Sequence, residues 1–240
     1  MRNNESLYFD IWRKKSFKEL IRAYTQTAYL YKTHEEMVVG FGEMLDLYVE
    51  GGKGKYRGRE KQWSSAYTLG RELGVFKRKV GEAYELSNLA KDFLNSKLLA
   101  SEYMLNYLLN FNQLICGQVV HPLYQVLIVM KENGGTITKD NIISIPEFNL
   151  SAKTADNQKQ IANIFLHRMV DAEIIESTEV RDRYRLTNRC DINDLIEHCN
   201  IYKKSAEDFK EMKHEDFVDM LSNPNPLIRI YRQGDISKNG

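Results

Sequence analysis

Residues 59–86 read REKQWSSAYTLGRELGVFKRKVGEAYEL. In the first half, Trp63, Ala66, Leu69, Gly70 and Leu73 recur at helical spacing, so one side of a helix ending near Leu73 faces a core. Beyond it, GVFKRK and EAYEL flank VGE, which predicts two short strands around a tight turn. The opposite side of the helix shows Lys61, Ser64, Ser65, Thr68 and Arg71. Short hydroxyls permit close approach and long cations reach guanine edges or phosphates, as a groove-facing surface requires.

Two more helices are predicted upstream. SFKELIRAYTQTAYLY places Phe17, Leu20, Ile21, Tyr24, Ala28 and Tyr31 on one face, with Ser16 as N-cap. THEEMVVGFGEMLDLYVEGG begins with a Thr33/Glu36 capping box, carries the stripe Val38, Phe41, Leu45 and Tyr48, and stops at Gly51-Gly52. Three helices followed by a hairpin is the order of a winged helix, whose third helix enters the major groove in helix-turn-helix logic.

The same order recurs downstream. HPLYQVLIVMKENGG is a helix with Pro122 at N1 and Gly134 at its C-cap. TITKDNIISI reads as a short helix, and SAKTADNQKQIANIFLHRMVDA as a longer one with Ile161, Phe165 and Met169 inward. EIIESTEVRDRYRLT is a hairpin turning near Thr178–Asp182, and DINDLIEHCNIYKK closes the unit with a helix. The longer helix exposes Lys159, Asn163 and His167, preceded by Lys153 and Asn157. The fold expected is mainly α, with tandem winged-helix units joined by a helical layer. Its parts are a first winged helix with an N-terminal arm over 1–100, a helical connector over 101–120 and a second winged helix over 121–204. The polar, charged residues 205–240 are expected to be a linker or disordered tail.

Composition bounds the function. The 240 residues are 42% hydrophobic and 28% charged, ordinary for a globular protein, with net charge +1. No apolar run reaches membrane-spanning length, and the start MRNNESLYFDIWRKKSF has no secretory core, so a cytoplasmic protein is expected. The charge is unevenly spread. Between 53 and 79, the nine cations Lys53, Lys55, Arg57, Arg59, Lys61, Arg71, Lys77, Arg78 and Lys79 face only Glu60 and Glu72. A local basic footprint on a near-neutral chain suits contact with a polyanion through one face.

Catalytic and metal signatures are weak. The stretch GKGKYRG (52–58) follows a helix and is not GxGxxG, and no GxxxxGK[ST] occurs. Residues 51–61 read instead as a basic strap along a phosphate backbone. The one E-x-K, Glu211–Lys213, lies in an acidic helical stretch with no strand-borne acid before it, so no metal-dependent nuclease centre is expected. Cys116, Cys190 and Cys199 form no CxxC pair, and Cys190, His198 and Cys199 lack a fourth ligand for zinc. His121, before a proline at a helix start, reads as structural.

Four segments carry a family resemblance: Leu86-Ser87-Asn88-Leu89-Ala90, Asn110-Phe111-Asn112-Gln113, Val120-His121-Pro122-Leu123-Tyr124-Gln125-Val126-Leu127 and Ile137-Thr138-Lys139-Asp140-Asn141-Ile142. In this order they resemble the DNA-recognition region of type IIS restriction endonucleases of the AlwI and BpuJI kind, over roughly residues 17–202. Asn110 departs from that family's K-F-Q motif, whose cation it replaces. The resemblance implies site-specific binding of double-stranded DNA, with cleavage and its Mg²⁺ in a nuclease domain or subunit outside these residues. No cofactor and no catalytic residue is expected in this chain. Lys53, Lys55, Arg57, Arg59, Lys77, Arg78 and Lys79 would serve phosphates, and Ser64, Ser65, Thr68, Arg71, Lys159 and Asn163 would face bases. Two rivals remain at this level. A winged-helix transcription regulator would dimerise on a palindromic or iterated site, and a protein-interaction scaffold would show no salt-dependent DNA binding.

Overall fold

A computed structural model describes residues 17–31, Thr33, Glu36, Met37, Gly40, Met44, 73–77, 85–149 and 155–238, with the backbone alone for 148–149, 155–157 and 233–238. The Ser16 cap, most of the two helices expected over 33–73, the strap 51–61 and the first hairpin's turn lie outside these residues. In chain order the elements are α1 (Phe17–Leu30), α2 (Asn88–Leu94), α3 (Ala100–Asn110), β1 (Gln113–Ile115), β2 (Gln118–Val120), α4 (Pro122–Glu132), β3 (Thr136–Thr138), α5 (Lys139–Ile143) and α6 (Pro146–Asn149). There follow α7 (Ala155–Asp171), β4 (Ile175–Ser177), β5 (Arg183–Leu186), α8 (Ile192–Glu197), α9 (Ala206–Glu211), α10 (His214–Ser222) and α11 (Pro226–Lys238). Among the described residues no helix is long and apolar enough to cross a membrane.

The chain forms two compact units, and the first is discontinuous: residues of the stretch Asp10–Ala100 are joined by Lys213–Asn223. The α1 stripe is buried as its spacing requires, through Phe17, Leu20, Ile21, Tyr24 and Ala28. Thr33 and Glu36 make their capping box, each backbone N–H donating to the other's side chain at 3.3 Å. The expected hairpin is present at its base. Phe76 bridges Leu86, Lys77 N–H donates to Glu85 O at 2.8 Å and Ser87 N–H to Val75 O at 2.9 Å. Ser87 then caps α2, its hydroxyl accepting from Ala90 N–H at 3.1 Å.

The stretch expected to be a tail begins instead with three helices. In α10, Phe217, Val218 and Leu221 are buried, and the helix packs on α2 within the first unit. Each such side chain contributes roughly 1.5–3 kcal/mol by leaving water, which outweighs the local polarity that suggests disorder. Gly74 permits the close approach. Its φ is +70°, and a Cβ there would stand 3.2 Å from Leu221 Cβ.

The second unit holds residues 101–212 and those from Pro224 onward. The expected connector is core: every residue of α3 from Glu102 to Asn110 is buried. Its buried polar groups are answered by chain distant in sequence. Asn106 Oδ1 accepts from Asn225 N–H at 2.8 Å, and Asn225 Nδ2 donates to His198 O at 2.9 Å. Arg232 on α11 forks onto the Glu102 carboxylate, with Nε and Nη2 at 2.6 and 2.5 Å. These contacts fix α11. Beyond α3 lies an unexpected hairpin, β1–β2, whose turn residues Cys116 and Gly117 both have positive φ. Asn112 Nδ2 donates to Asn200 O at 2.8 Å, while its Oδ1 accepts from Tyr202 N–H at 3.0 Å.

His121 caps α4. Its Nδ1 accepts from Tyr124 N–H at 3.2 Å, and its Nε2 lies 3.0 Å from Leu109 O. Burial lowers its pKa to about 4, so the ring is neutral at pH 7, as an accepting Nδ1 requires. The C-cap of α4 is Asn133 rather than Gly134; the glycine follows it at φ +63°. TITKDNIISI is not wholly helical. Thr136–Thr138 form β3, and Thr138 then caps α5 in a box with Asn141. β3 joins the expected second hairpin in an antiparallel sheet of order β3-β5-β4. Ile137 stands opposite Tyr184, and Ser177 opposite the same tyrosine from the other edge.

Candidate nucleic-acid interface

α7 is positioned by its apolar face. Ala162, Phe165, Leu166 and Met169 are buried, whereas Ile161 is only half-buried. Packing against α5, α6 and β4 holds this face. Lys159, Asn163 and His167 lie on the other side, four residues apart, and all three are exposed. Their side chains form no hydrogen bond or ion pair with described residues, so they present an amine, an amide and an imidazole outward. Asn157 lies on the same helix by its backbone, and Lys153 lies outside the described residues. Behind this face Arg168 is buried and paired to Asp171 at 2.6 Å. Burial pushes the Asp171 carboxyl up, against the pull of Arg168 and His167.

The β4–β5 hairpin adds cations that the sequence reading did not select. Arg181, Arg183 and Arg185 are all exposed, and the Arg181 side chain is 95% accessible. Glu176 engages Arg185 at 2.8 Å, and Asp182 stands 3.6 Å from Arg181. Arg183 has no ion pair among the described residues. The signal was present in RDRYR, where cations alternate with other residues at strand period. The turn is tied by Thr178, whose hydroxyl donates to Arg183 O at 3.1 Å, and Asp182 takes φ +58°.

Of the cations expected in the first unit, Lys77 is described. Its ammonium meets Asp219 of α10 at 2.5 Å, and its side chain is 19% accessible. Lys53, Lys55, Arg57, Arg59, Lys61, Ser64, Ser65, Thr68, Arg71, Arg78 and Lys79 lie outside the described residues. Glu211 is exposed at the end of helix α9, and no strand carries it. Burial pushes the Cys199 thiol up to about 12, which keeps it protonated.

The fold is thus mainly helical, with small antiparallel sheets. It is the fold seen in the crystal structure of the BpuJ1 endonuclease binding domain in complex with pyrene- and phenanthrene-modified DNA, with TM-score 0.58 over 85% of this chain and 92% of that one. The two sequences are 15% identical, so the likeness is one of fold. No family model and no curated protein matches the chain.

Proposed function

We propose that this chain binds double-stranded DNA site-specifically, as the recognition part of a type II restriction endonuclease whose cleavage domain or subunit lies outside these residues. The observation that carries the reading is the fold likeness over 92% of a domain crystallised on DNA. The free outward face of Lys159, Asn163 and His167 supports it. In this reading the elements α4, β3, α5, α7, β4 and β5 act as a winged helix, with α7 as the recognition helix. The segment 60–73 plays that part in the first unit. Lys159 and Asn163, with Ser64, Ser65, Thr68 and Arg71, face bases. The strap cations and the hairpin arginines Arg181 and Arg183 serve phosphates. The chain takes no cofactor of its own, and Mg²⁺ belongs to the cleavage domain.

The test is binding of the purified chain to a mixed-sequence duplex over a salt series, followed by selection from random duplexes. The expected result is an affinity that falls linearly on a log–log plot and a fixed asymmetric site in the selected pool. A flat salt response would remove DNA from the reading and leave a protein-interaction role. A palindromic site bound by a dimer would make the chain a regulator.

A further inference from the structure

The Lys77–Asp219 pair lies wholly within the first unit. Lys77 belongs to the most basic stretch of the chain, beside Arg78 and Lys79. Asp219 comes from its most acidic one, where six carboxylates between Glu207 and Asp219 face two lysines. Three features hold the carboxylate against the cation. α10 is anchored by buried Phe217, Val218 and Leu221; Gly74 lets Leu221 approach; and the backbone bond from Lys77 N–H to Glu85 O fixes the lysine's strand. The lysine is largely covered, whereas the Asp219 side chain is 51% accessible. The carboxylate therefore stands on the solvent side of a cation in a segment otherwise suited to phosphate.

We infer that Asp219 is a specificity-determining residue: it occupies Lys77 internally and so lowers the protein's sequence-independent affinity for polyanions. This rests on the proposed DNA-binding reading. A phosphate reaches Lys77 only by displacing Asp219, and a loosely held duplex does not supply that work. A duplex aligned by base contacts does. Specificity is a difference between affinities, and an internal carboxylate that competes with phosphate widens it by penalising the wrong complex.

The experiment compares wild type, D219N, K77A and K77A/D219N on a mixed-sequence duplex across a salt series, with far-UV circular dichroism as the folding control. D219N is expected to bind about fivefold more tightly, the scale of one part-exposed ion pair. Its log K against log[salt] slope should steepen by about 0.9, the mark of one added phosphate contact. K77A should match wild type within about twofold, and K77A/D219N should match K77A. If the gain of D219N survives in the double variant, the effect is general charge removal and the inference falls. An unchanged slope in folded D219N overturns it as well. Should D219N fail to fold, K77A still decides: a slope shallower by about 0.9 means that Lys77 was already in contact with phosphate, against the inference. Absence of any salt-dependent binding by wild type would instead sink the DNA reading itself, and the inference with it.

Discussion

Lys77 Nζ and Asp219 Oδ1 stand 2.5 Å apart, one at the base of a hairpin in the first half of the chain and the other on α10 near its end. The pair marks where late sequence is built into an early unit. It also separates Lys77 from the strap cations with which composition had grouped it, because its charge is answered inside the protein.

The apolar side of α10 should matter more to stability than that ion pair. Leu221 is fully buried against Gly74. Leu221→Ala should cost about 2–5 kcal/mol in urea unfolding, through lost transfer energy and the cavity left behind. Amide exchange in α1 and α2 should accelerate with it. Unchanged exchange there would show that α10 is not part of that core.

Arg232→Met should destabilise by about 3 kcal/mol, because it takes from the Glu102 carboxylate, 3% accessible, the guanidinium fork that answers its charge. Adding Glu102→Gln should recover most of the loss. Equal destabilisation in single and double variants by thermal or urea unfolding would count against a buried-charge origin.

Acid should weaken the fold through His121. Its pKa is about 4 when folded and 6.5 when free, so the unfolded chain binds the extra proton between those values. Stability is therefore fully present above pH 6.5 and declines as pH falls toward 4. The slope is about 1.4 kcal/mol per pH unit, for a total of about 3 kcal/mol. His121→Asn keeps a capping acceptor and should flatten this slope in unfolding titrations at fixed ionic strength. An undiminished slope would place the titrating group elsewhere.

DNA contacts should divide by role. Arg71→Ala and Asn163→Ala should each cost about 1–3 kcal/mol on the selected site and little on random duplex. Lys55→Ala and Arg183→Ala should weaken both alike and reduce the salt slope by about 1. Equal losses on both duplexes for all four variants would undo the assignment.

What the sequence revealed follows the range of the interactions involved. The α1 stripe, the Thr33/Glu36 box, the Pro122 start and the hairpin ending at Leu186 are set by neighbours a few residues away, and all were legible. β1–β2 was not, because its strands have three residues each and its turn begins with Cys116 at φ +46°, a residue that turn signals do not include. β3 was hidden inside a helical motif, since its partner β5 lies far along the chain. α10 and α11 read as a tail because Leu221 meets Gly74, and Arg232 meets Glu102, across long stretches of sequence. On the candidate interface, helical spacing identified Lys159, Asn163 and His167 as outward. The hairpin arginines were not legible as such, because cations alternating at strand period equally describe an ordinary solvated sheet face.

The return of α10 has a consequence for biosynthesis. A ribosome releases the chain N-terminus first, yet Phe217, Val218 and Leu221, which help close the first unit, emerge long after the rest of that unit. The usual N-terminal-first schedule is therefore unavailable to this unit. Its apolar surface waits, uncovered by α10, while more than a hundred further residues are translated, and a nascent chain stalled before α10 would be a client for chaperones.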